Sequence, residues 1–226
     1  MGDIQTLAAL EPVLRPLVAD QVFDALHAGV LSLSLPPGTK LSEADVARQM
    51  RVSRQPVRDA FYRLSRLGFL LIQPQRATTV SQIHVQDIRK ARFIRMAIEV
   101  EVMRRAASGM TDTDCEMLNQ TLADQRAAVA QGDRARFHRL DDQFHQQLCT
   151  AAGVGFVWDT IRETKAHTDR VRFASLAFGS ARALDEHGRI LAALRKGDAA
   201  GAEAELRAHL GQIEAIITAL RASQPS

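Results

Sequence analysis

Every strand-prone stretch of this chain lies before Ser81, and everything after it repeats in helical period between glycine-centred breaks. Apolar residues beyond residue 85 recur three and four apart, the spacing that puts them on one face of a helix. Breaks fall at Gly109, Gly132-Asp133, Gly153 to Gly155, Gly179-Ser180 and Gly197-Asp198. The pattern predicts helices over 85–108, 112–131, 133–152, 155–176, 181–196 and 198–222. Asp133 and Asp198 stand where N-caps belong. About six helices with short connections fold as an antiparallel all-α bundle.

The first third is built differently. Residues 1–14 read as a loose leader, and Val18, Val22, Leu26 and Val30 mark a helix between Arg15 and Leu33. Pro36-Pro37-Gly38 ends it. Ser42 is placed to cap a short helix, with Asp45 in its first turn, and Ser53 to cap the next, whose first turn tolerates Pro56. Gly68 closes that helix, and Phe69–Ile72 and Thr78–Ser81 form a small hairpin around Gln73–Ala77. The order helix, short helix, capped helix, hairpin is that of a winged helix-turn-helix. The fold class expected is therefore mainly α: a winged helix-turn-helix over 1–82 and a helical domain over 83–226.

Charge supports a polyanion partner for the first domain only. Between Pro36 and Gln82 there are eight Lys and Arg against three acids, although the whole chain carries only +3. Such a stripe is the electrostatic footprint of nucleic acid binding, and also what an ordinary solvated face can look like. The third helix separates its roles. Val57, Ala60, Phe61, Leu64 and Leu67 make an apolar stripe, while Arg54 and Arg58 share a face beside it, with Gln55 and Tyr62 further round. Arginine reads guanine bidentately in the major groove, and a helix N-terminus at Ser53 suits a phosphate. Arg76 at the hairpin tip can reach phosphate or minor groove. Val52-Ser53-Arg54-Gln55-Pro56-Val57-Arg58-Asp59-Ala60, followed by Leu64 and Gly68, resembles the reading helix of GntR-family repressors, and Leu41-Ser42-Glu43 with Val46-Ala47 resembles the segment before it. The resemblance implies that Ser53, Arg54, Gln55 and Arg58 contact double-stranded operator DNA, with Arg76 in the wing. Gln55 replaces the common Thr, and Ala77 stands where the family often has Gly.

In the helical domain, Phe137, Leu140, Phe144, Leu148 and Ala151 form a seam, with Asp141 and His145 on one flank. His187 lies within the stripe of Ala183, Leu184, Ile190, Leu191 and Leu194, and His209 between the directions of Ile216 and of Leu206, Ile213 and Leu220. Three imidazoles and a carboxylate on three helices thus aim toward one interior. A divalent cation satisfies such a set, and so does ordinary pairing, for example Asp141 with His145 across a turn. His138 lies on a similar flank but about two turns from His145, roughly 10 Å; His27, His84 and His167 have no such company.

Leu140-Asp141-Asp142-Gln143-Phe144-His145, Glu186-His187 with Ile190, Ala193, Leu194 and Asp198, and Arg207-Ala208-His209-Leu210 resemble the FCD domain, the helical effector domain of the FadR branch of that family. Arg95-Met96-Ala97-Ile98-Glu99 resembles its first helix. The resemblance implies a divalent metal on Asp141, His145, His187 and His209, and a small carboxylic acid as effector. Zn²⁺ is the expected ion, with Ni²⁺, Mn²⁺ and Fe²⁺ open. Arg95 is the arginine expected to meet the effector carboxylate; Arg170 and Arg172 are further candidates, with surface ion pairing as their alternative.

The expectation is a homodimeric, effector-released repressor on a pseudo-palindromic operator. A metal-dependent helical-bundle enzyme is the rival, but paired Glu-x-x-His motifs and a general base beyond the four ligands are missing from the sequence. A regulator with a purely structural metal is the other. Cys115 and Cys149 have no metal-motif spacing. Neither a signal-peptide pattern nor an apolar run of membrane-spanning length occurs, so the chain is expected to be cytoplasmic.

Overall fold

A computed structural model describes residues 17–73, 76–174 and 179–222. The expected leader over 1–14 and the Pro74-Gln75 part of the wing tip lie outside the described residues. The chain divides into two compact units: the residues up to Val30 with Ser34–Ser81, and Leu31–Leu33 with the chain from Gln82 onward.

The first unit holds α1 (Val18–Leu31), β1 (Lys40–Leu41), α2 (Glu43–Met50), α3 (Arg54–Arg66), β2 (Leu70–Leu71) and β3 (Thr78–Val80). Helix α1 buries Val22, Leu26 and Val30 of the stripe read from its spacing and adds Phe23, while Val18 at its first turn is exposed, and α3 buries Val57, Ala60, Phe61 and Leu64. Each large apolar side chain fully withdrawn from water contributes about 1.5–3 kcal/mol. Arg63 ties α3 to α1, its guanidinium 2.7 Å from Asp20 and 4.0 Å from the centre of the Phe23 ring. The three short strands form an antiparallel sheet in the order β1-β3-β2, with Lys40 opposite Thr79 and Leu70 opposite Val80. Strand β1 was not expected. Its two residues have no alternation to read, and only their pairing with β3 makes them a strand.

Local chemistry sets the turns. The Ser42 hydroxyl accepts from the Asp45 amide and caps α2 as expected. Helix α2 ends on Arg51 in the left-handed region at φ 56°, a conformation L side chains adopt only at a cost. Gly68 supplies φ 80° after α3. At α3 the expectation needs correction: Ser53 occupies the N-cap position, but its side chain makes no capping hydrogen bond. Its extended backbone at ψ 167° serves as the cap geometry, and the exposed hydroxyl is not consumed by the helix.

Among the described residues, the second unit holds six α-helices: α4 (Val85–Gly109), α5 (Asp112–Ala130), α6 (Arg134–Ala151), α7 (Trp158–Ala174) entered through a 3₁₀ turn at Gly155–Val157, α8 (Ser180–Leu194) and α9 (Ala199–Ala222). Asp133 caps α6 by accepting from the Arg136 amide at 2.9 Å, and Asp198 accepts from the Gly201 amide at 2.8 Å. A Thr111–Asp114 capping box starts α5. Helix α4 packs on α9, α7 and α6, α5 on α6 and α8, and α8 on α9. Met103, Leu118, Phe144, Leu148, Ile161 and Leu206 belong to one apolar core; Ile88, Val171, Ile213 and Ile217 form a second, smaller one. Along α9, Leu210 belongs to the first and Ile213 to the second, with His209 beside them.

Candidate functional site

Helix α6 places Asp141 and His145 one turn apart, α8 contributes His187, and α9 contributes His209. All four are buried, and their ligand atoms lie within 4.8 Å of one another. The four residues singled out by helical spacing are therefore brought together. Asp141 Oδ1 and the Nε2 atoms of His145, His187 and His209 are buried without a hydrogen-bond partner. Leaving a buried polar atom unpaired costs about 1–3 kcal/mol, a cost that an occupant contacting all four would relieve. A divalent cation fits this donor set of three imidazoles and a carboxylate.

Further residues hold the four side chains from behind, Gln125, Glu99 and Glu186 in a role the sequence did not assign and Arg172 where an effector contact was expected. His187 Nδ1 lies 2.9 Å from Gln125 Oε1, and His209 Nδ1 2.9 Å from Glu186 Oε2. His145 Nδ1 lies 2.8 Å from Glu99 Oε2. The Asp141 Oδ2 atom accepts from Arg172 at 3.2 Å. Glu99 and Glu186 are in turn paired with Arg95 and Arg182. Glu99 and Glu186 stood in the motifs that carry the FCD resemblance, though without this role, while the only sequence signal of Gln125 was a polar residue on a buried helical face, between Leu118, Leu122 and Ala128 on α5.

Electrostatics suit ligation. Burial pushes the His187 imidazole well below the usual histidine range, His209 adds to this, and burial lowers His209 as well. Neutral rings are what metal ligation requires. Burial alone would raise the Asp141 carboxyl, but Arg172, His145 and His187 outweigh it and hold the group well below the carboxylate range. His138 is buried on α6 but stands outside the quartet, its ring 4.2 Å from Phe173 and its pKa pushed down to about 4 by burial.

Two cavities open beside the quartet, and both are lined by Arg172, His209, Gln212 and Ile216. Arg92 and Arg95 line one, Arg182 and Glu186 the other. Arg95 reaches the cavity, yet its guanidinium is bound through Nε and Nη2 to Glu99. Arg170 and Arg172 are buried, which removes the surface ion-pair alternative for both. Arg170 lines neither cavity.

In the first unit, Ser53, Arg54, Gln55 and Arg58 are all exposed at the start of α3. Arg58 is gripped by Glu43 of α2 through Nε and Nη2, at 3.2 and 3.1 Å from Oε2. Gln55 donates to Asp59 at 2.9 Å. Arg76 is exposed, with Nη1 3.4 Å from Gln73 Oε1.

Both units match known families. The model of bacterial regulatory proteins of the gntR family matches residues 18–80, and that of the FCD domain matches residues 91–212, more than half the chain. The chain is a GntR-family regulator with an FCD domain. It is 39% identical to the HTH-type transcriptional repressor RspR of Escherichia coli K12 over 216 residues, 94% of this chain and 95% of that protein. It is 25% identical to the HTH-type transcriptional regulator LutR of Bacillus subtilis over 207 residues, 81% of this chain and 94% of that one. Among solved structures, Escherichia coli McbR/YncC superposes with a TM-score of 0.78 at 21% identity, covering 92% of this chain and 100% of that one. A GntR regulator from Rhodococcus sp. RHA1 superposes at 0.72 and 22% identity, covering 89% and 98%. These two structures bear on the fold. As in its relatives, the activity of this GntR regulator is transcriptional control, not catalysis. None of its described helices is long and apolar enough to cross a membrane.

Proposed function

We propose that this regulator is a homodimeric repressor whose α3 reads a pseudo-palindromic operator and whose FCD domain holds a divalent cation, Zn²⁺ first among the candidates, on Asp141, His145, His187 and His209. The observation that carries the reading is the buried quartet of unpaired ligand atoms. When bound, the ion supplies a Lewis-acidic point of attachment for a carboxylate. A small carboxylic acid entering beside His209 meets Arg172, with Arg95 behind it and Arg92 at the cavity wall. Ser53, Arg54, Gln55, Arg58 and Arg76 contact the DNA; Arg170 takes no part in the effector site. The acid lowers operator affinity by binding the DNA-incompetent state more tightly.

The test is a fluorescence-anisotropy titration of DNA from upstream of the regulator's own gene, using metal-loaded protein with a panel of small carboxylic acids. Weaker DNA binding with at least one acid is expected, and its loss in His209→Ala. Operator affinity unmoved by every acid would overturn the effector reading. A second reading has an observation in its favour: Arg95 and Arg172 are already paired with Glu99 and Asp141. If the metal is purely structural, no acid shifts the melting temperature of the metal-loaded protein.

A further inference from the structure

Gln125 lies on α5, a helix that contributes none of the four clustered ligands, yet its side chain is completely buried and bonded at both ends. One end meets the Leu140 carbonyl oxygen at 3.0 Å, and the other meets His187 Nδ1 at 2.9 Å. A carbonyl oxygen only accepts, so the end facing Leu140 is the amide NH₂. The end facing His187 is then the amide oxygen, which also only accepts. His187 Nδ1 must therefore carry the proton, and in a neutral ring Nε2 is left with a bare lone pair. That Nε2 lies 3.5 Å from Asp141 Oδ1, inside the quartet.

We infer that Gln125 is a positioning residue: it fixes His187 in the Nδ1–H tautomer and so aims an unprotonated Nε2 at the cluster. The inference rests on the metal reading only for what Nε2 is aimed at; the tautomer follows from the hydrogen bonds alone. Gln125 differs from the other two anchors in charge. Glu99 and Glu186 are carboxylates backed by Arg95 and Arg182, whereas the Gln125 amide is neutral and spends its second end on main chain. That main chain is the residue before Asp141. Through one side chain α5 thus clamps a ligand of α8 to the start of the ligand pair on α6.

The experiment uses the full chain with ¹⁵N-labelled histidine, as wild type, Gln125→Leu and Gln125→Glu. Long-range ¹⁵N–¹H spectra of the metal-free proteins report each tautomer. Wild type and Gln125→Glu are expected to show His187 protonated at Nδ1, and Gln125→Leu to lose that preference. Calorimetric titration with Zn²⁺ should then show roughly 10- to 100-fold weaker binding for Gln125→Leu, as for other lost partners of ligating histidines, and recovery in Gln125→Glu. An Nε2–H tautomer in wild type, or a Gln125→Leu protein with wild-type tautomer and affinity, would overturn the inference. Wild type that shows the Nδ1–H tautomer but takes up no Zn²⁺ upholds the tautomer assignment and removes the metal reading.

Discussion

At the scale of single residues, burial sorts the chemistry of this protein. That Asp141, His145, His187 and His209 face one interior was legible because helical period fixes which flank of a helix a residue occupies; that they form a ligand set was what the FCD resemblance implied. Their anchors were not legible. Gln125 and His187 are 62 positions apart, and Glu99 meets His145 across two helices, so nothing local in the sequence pairs them. The pairing of Arg95 with Glu99 is different: the two stand four apart on α4, a spacing helical period makes legible, and without it Arg95 reads as a free effector contact. Burial also sets the cysteine chemistry. The Cys149 thiol is pushed up to about 12, first by burial and then by the Glu99 charge. Native protein at pH 8 should therefore alkylate at Cys149 at least ~100-fold more slowly than protein in denaturant; equal rates in a mass-spectrometric time course would contradict this. On α3, Arg58→Ala should weaken specific operator binding by about 1–3 kcal/mol, and an unchanged anisotropy titration would remove it from the reading face.

At the scale of elements, the caps and breaks carried most of the legible information. Glycine-centred breaks bounded five of the six described helices of the second unit to within two residues, with Gly132, Gly153 and Gly197 each supplying a positive φ at a helix end; α7 begins at Trp158, three residues past its expected start, and its expected end at 176 lies outside the described residues. Strand β1 stayed hidden for want of length. Arg51 marks a place where sequence and backbone disagree: a side chain is held at φ 56° in the turn between α2 and α3. Arg51→Gly should relieve that strain and stabilise the winged unit by about 0.5–1 kcal/mol, seen as a higher melting temperature; a lower one would show that the arginine side chain stabilises more than its backbone costs. The capping box of α5 makes a pH-dependent statement. Asp114 accepts from the Thr111 hydroxyl and amide, which lowers its pKa in the folded state. Its stabilisation is therefore complete above the unfolded carboxylate pKa, ~3.9, and is lost as pH falls through the lower folded value. Asp114→Ala should melt below wild type at pH 7 by the worth of a cap, about 1 kcal/mol, and the gap should close toward pH 3. A gap independent of pH would assign the effect to something other than the carboxylate.

At the scale of the whole molecule, the chain joins a basic reader to a helical domain whose interior is organised around charge. Asp141, Glu99 and Glu186 each have a guanidinium partner, so the buried carboxylates are compensated before any ion enters. Facing inward, Asp141 Oδ1 and the Nε2 atoms of His145, His187 and His209 have no hydrogen-bond partner. The family match makes the chain a transcription regulator; the central proposal for its FCD domain is that the quartet holds a divalent ion. That claim is tested most directly by equilibrium dialysis of chelator-stripped, full-length protein against Zn²⁺, with bound metal counted by mass spectrometry. About one ion per chain is expected for wild type, as for a four-ligand site, and almost none for a folded Asp141→Ala/His209→Ala double variant. Wild type that retains no divalent ion, or a double variant that retains as much, would contradict it.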